Sequence, residues 1–523
     1  MIFVTLFFAH YHFFLPLNHT IWRTEIQVMA RGMTKDQWGG ERISFVITRK
    51  INRTDLRCTF LRSTTIFLFV SLLFFNKNVQ AQIKDSLKTG FLLDAAEEYW
   101  PAHQTGEQKD FSGMINHIPI RNSKGFISMG GNFREVYEYY DNHLWGRGPQ
   151  DNDGYFLHRA IVHADLRYNK NIRVFAEAQS SFLSGRNGGA RPVDLDKLAI
   201  DQIFGEYSFY SKSKNFYSFR FGKQALNYGT GSLLDIRETN VRRSFFGAKF
   251  IAERKNTKVD LFAMELVKTN PGFFDDKIDP SQKIAGIWIT QTFPGKFFKR
   301  LDAYYLYTHR DSAKFAQGLG TESRHTFGAA LNFRERRWSG NTEVDAQFGK
   351  FNGYTILAWK LIQTLTYQFS NVFLKPALSV QSALSSGDHN LMDSTLNTFN
   401  PIYPKAIYYG YIDNIESANL FLVHFKIEVE PAKKLKLTSG YYTFWRQSIA
   451  DGLYAANGSL LVAPARDQRR IGSMTDIVVL YACSSHFSLT GIVTFLKRGP
   501  FLEQEPTTPH DIRYLGITAT LRL

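Results

Sequence analysis

The chain has 523 residues, 63 Lys or Arg against 47 Asp or Glu, and a formal net charge of +16 at pH 7. Aromatic residues make up 15%, with 46 Phe and 25 Tyr, yet mean hydropathy is −0.25. From residue 82 onward no stretch offers about eighteen continuous apolar residues, which excludes helical membrane spans there. No run interleaves Lys or Arg with stacking aromatics, so nucleic acid is a poor anionic partner.

Residues 1–50 open on an apolar stretch, Met1–Leu17, and then lose any pattern. They read as an over-extended translation start or a disordered extension. Arg49, Lys50, Arg53, Arg57 and Arg62 then precede the apolar run Ile66–Phe75, and Val79-Gln80-Ala81 supplies a small-residue cleavage site. Basic region, short apolar region and small-x-Ala in that order read as a signal peptide over 51–81. Cleavage after Ala81 leaves 442 residues with 53 Lys/Arg and 43 Asp/Glu, net +10, and Cys483 as the one cysteine. No intramolecular disulfide framework is then possible.

Residues 82–124 form a polar periplasmic lead-in, with a short helix expected near Asp94–Trp100. From Gly125 to Leu523 strands and loops follow one another. Phe156–Tyr168 sets Arg159, His163, Asp165 and Arg167 against Phe156, Ala160, Val162, Ala164 and Leu166. Asn169-Lys170-Asn171 turns this segment into Ile172–Phe182 as a hairpin. Trp338–Gly349 alternates Ser339, Asn341, Glu343, Asp345 and Gln347 with Trp338, Gly340, Thr342, Val344, Ala346 and Phe348. Successive strand side chains point to opposite faces, so such a ribbon has one apolar and one wet side. About seventeen segments repeat this pattern, and the even-number habit of single-chain barrels raises the expectation to about eighteen strands. Connections alternate between short (Asn169–Asn171, Glu335–Arg337, Pro431–Lys433) and long (Gly185–Asp201, Ala225–Ser244, Ser386–Ala418, Gln447–Arg470). The fold class expected is all-β, a transmembrane antiparallel β-barrel over 125–523, exported to the bacterial outer membrane and bathed by its lipid.

Several blocks carry a family resemblance. They are Gly130-Gly131-Asn132-Phe133-Arg134-Glu135, Asp153-Gly154-Tyr155-Phe156-Leu157-His158-Arg159, and Arg220-Phe221-Gly222-Lys223-Gln224. Asn240-Val241-Arg242-Arg243-Ser244-Phe245-Phe246-Gly247 and Phe399-Asn400-Pro401-Ile402-Tyr403-Pro404 continue the series. Over roughly Asn116 to Leu523 the chain resembles the alginate export family of outer-membrane β-barrels. Lys223 and Met474 depart from the pattern, where an arginine and an acidic residue are expected. The resemblance implies passage of a linear polyuronate through an electropositive pore, with alginate-like polysaccharide as cargo. The alternatives are a general anion-selective porin for small anionic solutes and, further off, a barrel-embedded hydrolase. A periplasmic partner stays unidentified.

A wall that passes a polyanion needs cations, and interleaved acids keep each cationic site from holding its guest. Parity puts Arg159, Arg167, Arg173, Arg220, Lys249, Arg324, Arg334, Lys375 and Lys426 on polar faces, with Asp165, Glu177, Glu206, Glu253, Asp302, Glu343, Asp345 and Glu428 among them. Singly, each fits a bracing ion-pair ladder equally well; as a set they describe a charged lumen. Facing lipid instead, a mid-bilayer Arg or Lys would cost roughly 2–4 kcal/mol. Arg237, Arg242 and Arg243 belong to a long loop that is either a solvated outer loop or, as the family resemblance implies, an inward-folded constriction that sets selectivity. Asp151-Asn152-Asp153-Gly154 lacks the closing acid of a calcium loop and reads as a turn. No nucleophile, metal or phosphate-loop motif is present, so no cofactor and no enzymatic activity are expected. His163 with Asp165 is the sole pair resembling a base and its orienter.

Overall fold

The computed structural model describes residues 118–523 apart from 121–123, 170, 413, 456–457 and 465–466. The expected start region, signal peptide and lead-in helix lie outside the described residues. Within them the chain forms eighteen long antiparallel strands closed into a barrel. In chain order these are β1 (Gly125–Asp141), β2 (Tyr155–Tyr168), β3 (Ile172–Ser184), β4 (Asp196–Tyr210), β5 (Phe216–Gln224) and β6 (Phe245–Arg254). There follow β7 (Thr257–Lys268), β8 (Lys277–Thr292), β9 (Phe298–Phe315), β10 (Gly318–Glu335), β11 (Trp338–Phe351) and β12 (Tyr354–Gln368). The last six are β13 (Ala377–Ser385), β14 (Leu420–Ala432), β15 (Leu435–Arg446), β16 (Arg470–Ala482), β17 (Phe487–Arg498) and β18 (Ile512–Arg522).

Each strand pairs with its sequence neighbours, and β1 closes the cylinder by pairing with β18 as well as β2. Closure leaves no edge, so every strand has a ladder on both sides, as a lipid environment demands. The period-2 pattern becomes two solvents. On β11, Glu343, Asp345 and Gln347 are buried inside while Val344 and Phe348 stand 47% and 43% exposed on the outer wall. The same outward set includes Phe133, Phe156, Phe219, Phe221, Phe327 and Phe495.

One end of the barrel has short turns throughout, such as 255–256, 336–337 and 433–434. The other end carries the long loops 225–244, 386–419 and 447–469, but also two tight turns, 316–317 and 352–353. The long loops fold back into the cylinder. Leu234 forms a parallel bridge with Tyr403, flanked by Asp235 N–H donating to Tyr403 O (2.9 Å) and Lys405 N–H to Gly231 O (2.9 Å). Against β13–β18 and β1 they bury an apolar core that includes Trp145, Ile412, Ile415, Leu420, Phe444, Leu453 and Phe501. Met474, the departure noted above, belongs to this core, and its methyl group lies where a Cβ on Gly410 (φ +108°) would stand. The positive φ favours glycine at 410, and a side chain there would also displace the Met474 methyl.

Candidate functional site

On β2–β12 the inner face is a chain of ion pairs. Asp165 accepts from Arg167 (3.0 Å) and Arg173 (2.9 Å), and Glu206 accepts from Arg220 (2.7 Å). Lys249 lies 3.4 Å from Asp260, and Arg324 donates to Glu322 at 2.6 Å and Gln347 at 2.7 Å. Lys360 Nζ sits between Glu343 (3.0 Å), Asp345 (3.1 Å) and Ser232 Oγ (2.9 Å). All these cations are buried, so their charge is largely spent on neighbouring carboxylates. Asp165 is fully engaged by two arginines and is not free to orient His163, whose ring stacks 5.6 Å from Phe175.

One placement differs from the parity reading. Lys375 lies in the turn before β13, at φ 42°, exposed rather than on an inner face. The residue before a proline is poorly suited to a regular ladder, and Pro376 also cannot donate to one, so β13 starts only at Ala377. Arg334 and Lys426 do lie at the inner face, but at the short-turn end. They line a cavity of about 360 Å³ with Arg336, Arg337, Ser379 and Glu428, away from the other site residues. Asp151 is a turn residue: Gly154 N–H donates to its carbonyl (3.1 Å), and its carboxylate takes Asn187 N–H (2.7 Å).

The loop 225–244 is stapled to the wall from several sides. Asn240 Nδ2 donates to the carbonyls of His158, Phe182 and Asp194, and Val241 N–H to Val193 O (2.9 Å). Arg242 ion-pairs with both Glu177 and Asp201. Burial opposes its charge, but those two carboxylates raise its pKa. Glu238 takes Arg159 and Arg134. Enclosure works against its ionised form, yet Arg159 and then Arg134 hold its carboxyl down at about 2.

Arg237 and Arg243 are different. Arg237 occupies the left-handed region (φ 55°), fixed by its N–H donating to Asp235 Oδ1 (2.7 Å), and its guanidinium reaches only Val241 O (3.3 Å). Arg243 reaches the carbonyls of Asp235 (3.2 Å) and Pro404 (3.4 Å) and lies 5.1 Å over the Tyr403 ring. Arg310 covers the same ring at 5.1 Å. Neither Arg237 nor Arg243 has a carboxylate at ion-pair distance among the described residues. Burial lowers Arg237 to about 10; burial and then Arg237 itself lower Arg243 to about 9. Both remain cationic at neutral pH.

Arg237, Arg242 and Arg243 together line a cavity of about 640 Å³. Arg191 and Lys268 add two more cations, and Asp279 is the one acidic lining residue. A wall of that composition attracts anions and gives them guanidinium donors.

The family model for alginate export matches residues 126–514. The chain belongs to the alginate export family. No curated protein matches the sequence. Solved structures similar to this alginate export family member include OccAB1 of Acinetobacter baumannii, at 13% identity and a TM-score of 0.53, covering 79% of this chain and 99% of that one. OccK8 (OprE) of Pseudomonas aeruginosa gives 11% and 0.51, with coverage of 76% and 98%. OpdK of the same species, solved with vanillate, gives 8% and 0.51, again with 76% and 98%. The fold is that of outer-membrane porins, and the protein is an outer-membrane channel.

Within this family member, Lys223 at the position expected to be arginine ion-pairs with Asp276 (2.7 Å), so the departure keeps a cation there. Sequence reasoning missed Lys360, Arg310, Arg191 and Lys268. Lys360 was hidden because the inner positions of β12, Ile356, Ala358 and Ile362, are apolar like the outer ones.

Proposed function

We propose that this channel passes anionic solutes, an anionic polysaccharide of the alginate kind being the cargo, and that loop 225–244 is its selectivity element. The observation that carries this reading is the contrast between paired and unpaired cations. The wall cations are neutralised by neighbours, whereas Arg237 and Arg243 keep their charge in a cavity with almost no acid. Carboxylates spaced along a polyuronate would exchange between such donors without being trapped, since the nearby ion pairs keep the well shallow. The family model supports the polymer; the net positive lining supports the sign of the charge.

The protein reconstituted in a planar bilayer under a salt gradient tests this. An anion-selective reversal potential and current block by added polyuronate are expected. The double substitution Arg237→Gln with Arg243→Gln moves the reversal potential toward zero while unitary conductance persists. Unchanged selectivity in that variant would overturn the role of the loop.

A second reading, a porin for small organic anions, is favoured by the Leu234–Tyr403 bridge, which knits two loops together inside the barrel. Vanillate, the ligand named with OpdK, is a solute of that class. Block by short organic carboxylates but not by polyuronate would select it.

A further inference from the structure

One rim of the barrel is strongly basic. The eight short turns of one rim, from 169–171 to 483–486, contain ten Lys or Arg and no Asp or Glu. The nine connections at the opposite end contain nine Lys or Arg and sixteen Asp or Glu. Lys212, Lys214, Lys255, Lys296, Lys375 and Lys433 are all exposed, and none has a side-chain partner among the described residues. They are spread around the perimeter, in the turns after β4, β6, β8, β12 and β14.

Just above them the outer wall carries aromatic pairs. Phe209 stands 5.3 Å from Tyr217, Phe297 5.2 Å from Phe333, and Trp338 4.7 Å from Tyr367. Exposed aromatics at the end of an apolar belt mark the headgroup level of a bilayer. Lysines one turn beyond them stand at the depth of the lipid phosphates. A ring on all sides suits a surrounding lipid surface, whereas a docked protein would be met by a patch on one side.

We infer that this rim binds anionic phospholipid headgroups of the inner, periplasmic leaflet of the outer membrane. Each lysine at such a surface strengthens attraction to anionic lipid, and the effect fades within a Debye length. The ring therefore recruits a collar of anionic lipid and fixes the depth of the barrel in the bilayer, independently of what the channel carries.

The test is lipid retention. The protein purified from outer membranes is reconstituted in vesicles of equal parts phosphatidylethanolamine and phosphatidylglycerol. It is then extracted in mild detergent, and the co-purifying lipid is counted by mass spectrometry. Phosphatidylglycerol should be enriched about fivefold, falling toward parity in about 0.5 M salt. Replacing Lys212, Lys214, Lys255, Lys296 and Lys433 together with Gln should abolish the enrichment, and replacing them with Arg should retain it. Parity in the unmodified protein, or enrichment indifferent to salt, overturns the inference even if the Gln variant fails to fold. Parity combined with co-sedimentation on isolated cell-wall sacculi would likewise overturn it and assign the lysines to the wall polymer.

Discussion

The two halves of the barrel interior differ in degree: both pack inward loops on apolar residues, but one adds a long run of ion pairs. Along β2–β12 the inner face is ionic, each carboxylate such as Asp165 or Glu206 clamped by arginines, and the loop above it is held by Arg242 and Asn240. Along β13–β18 and β1 the inner face is more apolar toward the long-loop end, where the loops pack on it through Ile412, Ile415, Leu453 and Phe501. The difference separates duties. The apolar half anchors the inward loops by area buried, which needs no directional partners. The ionic half also holds its side chains by direction and charge.

The sharpest way to break this contrast is to remove one cation from the ionic half. Lys360→Met strands Glu343 and Asp345 together in a buried site, and should lower stability by roughly 3–5 kcal/mol. Urea titration of the folded form, followed by gel mobility, measures it. Near-wild-type stability would mean that water reaches the pair and that this half is wetter than its burial implies.

Glu416 probes the loops themselves. It is 2% exposed, and burial raises its carboxyl to about 7. A carboxyl whose folded pKa lies above its unfolded value loses stability as pH rises between the two, here from the ordinary glutamate range to about 7. The loop 386–419 should therefore be tighter at pH 5 than at pH 8, by on the order of 2–3 kcal/mol. Hydrogen exchange across the loop reports it, and Glu416→Gln should flatten the dependence.

The smallest effect sharpens the comparison from the apolar side. Ile412→Val should cost about 1 kcal/mol through a lost methylene. It should leave the reversal potential where it was, in contrast to the Arg237 and Arg243 substitutions. A shift in selectivity from Ile412→Val would show that the apolar packing also shapes the conducting route.

How far the sequence reached follows the same divide. Where one face is charged and the other greasy, as in Phe156–Tyr168 or Trp338–Gly349, alternation alone told inside from outside, and the inward side chains of β2 and β11 lie where parity put them. Toward the long-loop end of β14–β17 residues such as Leu420, Leu422, Phe444 and Met474 make the inner face apolar too, because it meets loops there; no periodicity can distinguish lipid from loop. Arg237, Arg242 and Arg243 were legible as a cluster, but not their different fates. Arg242 is neutralised by Glu177 and Asp201 from β3 and β4, while Arg243 meets Tyr403 from another loop. Such meetings depend on residues far apart in the chain, which local pattern does not encode. Lys375 was misplaced for a local reason, the proline that follows it.

The seam between β1 and β18 has a consequence in time. Tyr137 pairs with Ile517, so the first strand made waits for the last before either has a second partner. Until then the sheet has two open edges, each able to recruit a stranger, and a cylinder half inserted in lipid would carry bare amides into hydrocarbon. Contacts so distant in sequence also form slowly. Assembly of this barrel must therefore be close to all-or-none, and an assistant that shelters the edges would shorten its most vulnerable interval.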